Sequence, residues 1–226
     1  MLMKKIFTLI AVAAMALSAN AQKYYFQESD VASAGTLDGK SFADFITLVD
    51  TDGKMAIDGN NAYFGDANTQ TKFSYRLKSG GKSSSKNQIH LAIAEAGTLK
   101  VYARTGSNSA TDRNLVVTQN EAELYNQVVQ EADAVLVKGL DESDPEKETK
   151  VYPAVTVEVA AGEVVLTYPT GSMNFYGFEA GSGATAIQTV KAAQANDDAV
   201  YNLAGQKVAK DFKGIVIKNG KKILQK

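Results

Sequence analysis

Cysteine and tryptophan are absent from this 226-residue chain, which holds only 3 prolines and 1 histidine. Without cysteine there is no disulfide framework, thiolate nucleophile or thiolate metal ligand, so stability must come from an apolar core. A single histidine, His90, excludes a multi-histidine zinc site and leaves a nucleophile–base arrangement without its usual base. Lying between Ile89 and Leu91 in an alternating run, it reads as a structural side chain. No Gly-x-Ser-x-Gly elbow occurs, and Ser79-Gly-Gly81 lacks the spacing of a phosphate-binding loop. Long apolar runs are also missing. The run Ile6 to Leu17 is about a dozen residues, short of the roughly 18 of a membrane span, and nothing later resembles one.

That run has another meaning. Lys4 and Lys5 precede it, and Ala19-Asn20-Ala21 follows it. Basic residues, an apolar stretch and an A-x-A site are the pattern of a secretory signal peptide, so the mature chain is expected to start at Gln22. Gln at that position leaves no cysteine for a lipid anchor.

Charge divides the remainder. Residues 22–198 carry 15 basic and 24 acidic residues, a net of −9, whereas Ala199 to Lys226 has seven lysines and one aspartate, a net of +6. A body this acidic gives no general attraction to nucleic acid or an anionic membrane, and the basic tail reads as a solubilising surface.

The body reads as all-β. Seven runs rich in β-branched and aromatic residues stand out: Phe73–Leu77, Gln88–Ala94, Thr98–Arg104, Asn114–Thr118, Ala154–Val159, Glu163–Thr167 and Met173–Phe178. Ile89, Leu91 and Ile93 point one way, as do Leu99, Val101 and Ala103, with Lys100, Tyr102 and Arg104 opposite. Turn chemistry separates the runs, as at Ser79-Gly80-Gly81 and Gly106-Ser-Asn-Ser109. The expected architecture is an antiparallel jelly-roll or β-sandwich, with Leu99, Val101, Leu115, Val117, Val155, Val157, Leu166 and Phe175 inside. Residues 23–65 fit either a first strand or a short helix, with turns at Asp50-Thr-Asp-Gly53 and Asp58-Gly-Asn-Asn61. Residues 119–150 are also ambiguous, ending in a charged loop, Asp141 to Glu148. The expected division is signal peptide 1–21, sandwich body 22–180, small polar linker 181–198 and a β-hairpin tail 199–226.

Two resemblances follow. Arg76-Leu-Lys-Ser-Gly-Gly81, Gly97-Thr-Leu-Lys-Val-Tyr-Ala-Arg104 with its continuation to Arg113, and Met173-Asn-Phe-Tyr-Gly-Phe178 resemble a β-sandwich module found beside pectate lyase domains in secreted bacterial proteins. Val200-Tyr-Asn-Leu-Ala-Gly-Gln-Lys-Val208 and Gly214 to Lys226 are similar to C-terminal sorting domains of type IX secretion, two hairpins with turns at Ala204-Gly-Gln206 and Asn219-Gly220. The first resemblance implies an accessory carbohydrate module. The second implies the secretion machinery as a partner, and a place outside or on the surface of a Gram-negative bacterium.

Catalysis is not expected. Acid–base carboxylate pairs are defined by a spatial separation of roughly 5–10 Å, which spacing along strands does not supply. No cofactor is implied. Asp50-Thr-Asp-Gly53 has its glycine at the fourth position of a calcium loop rather than the sixth and no Glu at the twelfth, and the acids of 141–148 read as solvated, although a structural calcium in the loops stays open. The candidate ligand-binding residues are Arg76, Lys78, Tyr102, Arg104 and Tyr176, with Asn174, on a wet sheet face. Tyrosine stacks on a sugar ring and guanidinium groups grip hydroxyls or a uronate carboxylate. Two function classes remain: a non-catalytic polysaccharide-binding accessory protein, or a structural or adhesive surface protein with no small ligand.

Overall fold

The computed structural model describes residues 21–181 and, in the C-terminal region, the strand segments within 200–225. The expected signal peptide, the polar segment after Gly181 and the two tail turns lie outside the described residues. The body strands are β1 (Gln22–Tyr25), β2 (Ser41–Phe42), β3 (Ile46–Asp50), β4 (Ala56–Gly65), β5 (Gln70–Lys78), β6 (Asn87–Ile93) and β7 (Gly97–Thr105). They continue with β8 (Asn114–Gln119), β9 (Ala122–Val128), β10 (Val135–Val137), β11 (Thr149–Tyr152), β12 (Val155–Val159), β13 (Gly162–Thr167) and β14 (Met173–Gly181). Among the described residues helix is limited to two 3-10 turns, Glu28–Asp30 and Glu131–Asp133, and no helix is long and apolar enough to cross a membrane.

All seven expected runs are strands, because alternation gives each a face to bury. They form two sheets. One has the order β10-β11-β4-β5-β14-β7-β12 with β1 beside β14, and the other has the order β2-β3-β6-β13-β8-β9. Between them lies the main core. Leu99, Val101 and Ala103 of β7, Val155 and Val157 of β12 and Phe175 of β14 meet Ile89 and Leu91 of β6, Leu115 and Val117 of β8 and Leu166 of β13. Every side chain expected inside is buried. Burying each side chain of this size stabilises by about 1.5–3 kcal/mol.

One open alternative is resolved and three local expectations change. Residues 41–50 form the β2–β3 hairpin, not a helix, with Ala43 and Asp44 at positive φ in its turn. Asp50-Thr-Asp-Gly53 is a tight turn, closed by the Gly53 amide on the Asp50 carbonyl at 2.8 Å, but it carries the chain from one sheet to the other and joins no hairpin. Asp58-Gly-Asn-Asn61 is not a turn at all. It lies inside β4, where the register slips between Gly59 and Ala62, a bulge that leaves Asn60 and Asn61 out of the ladder. Finally, β11 runs parallel to β4, so the larger sheet is not purely antiparallel. The β8–β9 hairpin turns on Asn120 and Glu121, both at positive φ, which a search for glycine-bearing turns passes over.

β14 is the hub of the larger sheet. One edge pairs with β7 along its length, while the other pairs first with β5 and then with β1. The register on β7 shifts between Phe175 and Gly177, so Phe175 and Phe178 both enter the main core while Tyr176 turns to the opposite face. Gly177 is required there: a Cβ would stand 2.5 Å from the Tyr25 ring and 2.6 Å from the Tyr24 carbonyl oxygen. The Gln22 side chain ties β1 to the end of β6, donating to the Ala92 carbonyl and accepting from the Ala94 amide, each at 2.8 Å.

The C-terminal unit is a four-stranded sheet of its own: β15 (Val200–Asn202), β16 (Lys207–Val208), β17 (Gly214–Lys218) and β18 (Lys221–Gln225), in the order β16-β15-β17-β18. The two expected hairpins are therefore joined through β15 and β17. Lys218 pairs with Lys221, which leaves Asn219-Gly220 as a two-residue connection.

Candidate functional site

The expected binding residues divide into two groups. β5 and β7 do lie in one sheet, but β14 runs between them, and Asn174 pairs with Lys78 on one side and Arg104 on the other. Arg76 and Lys78 converge on Asp58 of β4. The Arg76 Nε donates to Oδ1 at 2.9 Å, and the Lys78 Nζ stands 2.8 Å from Oδ2. Burial raises the Asp58 carboxyl, but the hydrogen bonds from Arg76 and Lys78 outweigh it and hold the group below its usual range. These two cations thus share one carboxylate as their partner, and neither lines the cleft described below.

Tyr102 and Tyr176 do point away from the main core, as alternation requires, yet the face they reach is not wet. Tyr102 is 8% exposed and Tyr176 is 0% exposed. Together with Ala62, Phe64, Phe73 and Tyr152 they form a second core on the outer side of the larger sheet. Phe64 is its centre, with ring centroids of Phe73 at 5.3 Å, Tyr176 at 5.2 Å, Tyr102 at 5.6 Å and Tyr152 at 5.8 Å. The correction has a simple cause: β4 and β11 add aromatic side chains to this face, and rings so close together exclude water. Stacking of Tyr102 or Tyr176 on a sugar is therefore blocked. Burial also pushes the Tyr102 hydroxyl well above the usual tyrosine range.

Arg104 sits at the margin of this second core as the centre of a polar network. Its Nε donates to the Tyr176 hydroxyl at 3.1 Å, and its Nη1 donates to Glu131 Oε1 at 2.8 Å and to the Tyr152 hydroxyl at 3.3 Å. Nη2 reaches Asn60 Oδ1 at 3.5 Å, and the Tyr176 hydroxyl donates to the same oxygen at 2.5 Å. The β4 bulge thus supplies the acceptor that a buried tyrosine hydroxyl and a guanidinium both need. Glu131 accepts further bonds from Lys150 and the Tyr152 hydroxyl, each at 2.8 Å. Burial raises its carboxyl, but hydrogen bonds from Lys150 and Tyr152 and the charges of Arg104 and Lys150 prevail and hold it low.

Acid stability follows from these groups. A carboxylate with a depressed folded pKa stabilises the fold above its unfolded value and loses that contribution as pH falls through the folded one. Asp58, Glu131 and Glu179 all have lowered values. Unfolding free energy is expected to hold above roughly pH 4.5 and to decline progressively below it, with a shallower decline in Glu131→Gln. Urea titrations at stepped pH would show this.

Beside the network the molecule opens. A cleft of about 560 Å³ lies where residues 140–150 face β4 and β5. Tyr63, Lys72, Arg104, Lys150 and Tyr152 line its strand side, and Asp141, Glu142, Lys147 and Glu148 come from the loop. The loop is built, not slack. The Gly139 amide bonds to the Pro145 carbonyl at 2.9 Å, Asp141 accepts from Ser143 Oγ at 2.6 Å and from Lys147 Nζ at 2.7 Å, and the Tyr63 hydroxyl pins the Leu140 carbonyl at 2.9 Å. The Asp141 carboxyl is held far below its usual range, first by its hydrogen bond from Lys147. Of the expected site residues, only Arg104 lines this cleft. Lys72, Lys150 and Tyr63 escaped sequence reasoning, because a parallel contact between strands as distant as β4 and β11 leaves no local pattern.

The other candidates resolve into structural roles. His90 Nδ1 is 2.9 Å from Glu163 Oε1 and its Nε2 is 3.1 Å from Gln88 Oε1. The Asp50 carboxylate accepts from the backbone amides of Lys54 and Met55 at 2.8–3.1 Å. Among the described residues no three acidic or histidine side chains converge as metal ligands.

The chain matches no family model, and no curated protein is significantly similar to it. Among solved structures it is similar to a chain of the Ruminococcus flavefaciens cellulosome, described in connection with glycan recognition, at 14% identity and a TM-score of 0.38, covering 73% of this chain and 95% of that one. It is also similar to part of the catalytic unit of a thermostable GH87 alpha-1,3-glucanase from Streptomyces thermodiastaticus, at 14% identity and a TM-score of 0.34, covering 67% of this chain and 27% of that one. A third likeness is to a GH87 alpha-1,3-glucanase catalytic domain in complex with nigerose, at 10% identity and a TM-score of 0.32, covering 62% and 28%. The chain spans little more than a quarter of those glucanase chains, and likeness at this level brings neither ligand nor activity with it.

Proposed function

We propose that this is an exported, non-catalytic glycan-binding protein of a polysaccharide-utilising system, which holds a sugar chain in the cleft between β4, β5 and the 140–150 loop. The cleft itself carries this reading. Its volume of about 560 Å³ falls in the range of small-ligand sites, roughly 300–1,000 Å³. Tyr63, half-buried at the cleft wall, with an array of charged donors and acceptors around it, offers the groups that recognise a polyhydroxylated ring. Glu131 and Asp141, held below their usual range, are unsuited to the protonated acid that a glycosidase requires, and a reducing-end assay reads any turnover by the other cleft carboxylates, Glu142 and Glu148. Export is supported by the basic-apolar-A-x-A start, and engagement of a secretion apparatus by the tail's similarity to type IX sorting domains.

A glycan array probed with the purified full chain tests the proposal, together with a reducing-end assay on every polysaccharide that binds. Binding without release of reducing ends is expected. A structural or adhesive role is the second reading, favoured by exposed Leu124 and Val128 on β9 and Val135 and Leu136 on β10, the outer strands of the two sheets. It takes over if no glycan binds.

A further inference from the structure

The two walls of the cleft carry opposite charge. On the strand side, Glu131 is the one carboxylate shared by Arg104 and Lys150, both at 2.8 Å, which leaves one positive charge in excess. Lys72, exposed and without an ion pair among the described residues, adds a second. On the loop side, Lys147 cancels Asp141 at 2.7 Å, while exposed Glu142 and Glu148 have no ion pair among the described residues. One donor is also left over. A guanidinium has five N–H groups, and the bonds of Arg104 to Tyr176, Glu131, Tyr152 and Asn60 use four. The remaining Nη2 N–H has no protein acceptor among the described residues. The network holds that guanidinium in place before any ligand arrives, so its ordering costs the complex little.

We infer that the cleft takes a carboxylate-bearing sugar, a uronate, with its carboxylate against Lys72, Lys150 and the free Arg104 donor and its hydroxyls donating to Glu142 and Glu148. This rests on the cleft being the glycan site. A neutral sugar leaves two cations and a fixed donor unanswered. A polyanion without hydroxyl donors is repelled by the loop wall.

The experiment titrates the full-length protein with sodium polygalacturonate and sodium alginate, and with the same polymers after chemical reduction of their carboxyl groups to alcohols. Binding to at least one polyuronate, loss of binding on carboxyl reduction and weakening by added salt are expected. Lys72→Ala and Lys150→Gln, both exposed positions, are each expected to weaken binding about two- to fivefold at low ionic strength, and Lys86→Ala, outside the cleft, to leave it unchanged. Equal binding of the parent and reduced polymers overturns the uronate assignment and leaves the glycan site standing. Unaltered polyuronate affinity in both variants also overturns it. Failure to bind any of these polymers overturns the assignment, and silence across the wider array removes the glycan reading as well.

Discussion

Glu131→Ala is expected to destabilise the fold by about 3–5 kcal/mol, more than any surface substitution, because it strands a cation in a partly closed site. Glu131 and Arg104 side chains are only 11% and 14% exposed, at 2.8 Å from one another. Removing the carboxylate leaves the guanidinium with hydroxyl and amide partners but no counter-charge, and takes an acceptor from the Tyr152 hydroxyl. Glu131→Gln keeps an acceptor and the shape and loses less. Equilibrium urea unfolding of the three proteins gives the comparison. If Glu131→Ala unfolds within 0.5 kcal/mol of the parent, the network is an ornament of the surface and the Arg104 guanidinium is not fixed by it.

The second large effect concerns the outer core. Phe64 is 1% exposed within a ring of four aromatic neighbours, so Phe64→Ala removes the centre of that cluster. Large-to-small replacement of a buried phenylalanine costs about 3–5 kcal/mol, which for a body of this size lowers the midpoint of thermal unfolding by roughly 10 °C. Phe64→Leu, which refills much of the volume, is expected to cost less than half as much. A wet face with a loosely held ring would show neither loss, and thermal unfolding followed by circular dichroism distinguishes the cases.

The inner core was readable from the sequence because a strand that buries one face must alternate, and Leu99, Val101, Leu115, Val117, Val155 and Val157 do so. The same alternation gave the direction of Tyr102 and Arg104 correctly. It said nothing about what lies over them. Whether an outward residue meets water depends on which other strands reach that face. Here the answer comes from Phe64 and Tyr152, 88 residues apart in sequence and joined by a parallel pairing. Tyrosine and arginine on a strand carry the same local signature whether they await a sugar or complete a core. Asn60 shows the converse: a turn-like Asp-Gly-Asn-Asn stretch is a strand bulge, at which Asn60 Oδ1 accepts from Tyr176 and Arg104, partners distant in sequence. The cleft was hidden for a related reason, since its walls are β4, β5 and a charged loop that only the folded chain brings together.

Amide NMR of the isotopically labelled full chain, titrated with the oligosaccharide that binds best in the array, locates the site directly. Shift changes are predicted at Asn61 to Tyr63, Lys72 and residues 141–150, with Tyr102 and Tyr176 little affected. Changes centred instead on Arg76 and Lys78, with the 141–150 loop silent, would contradict the assignment of the cleft as the binding site.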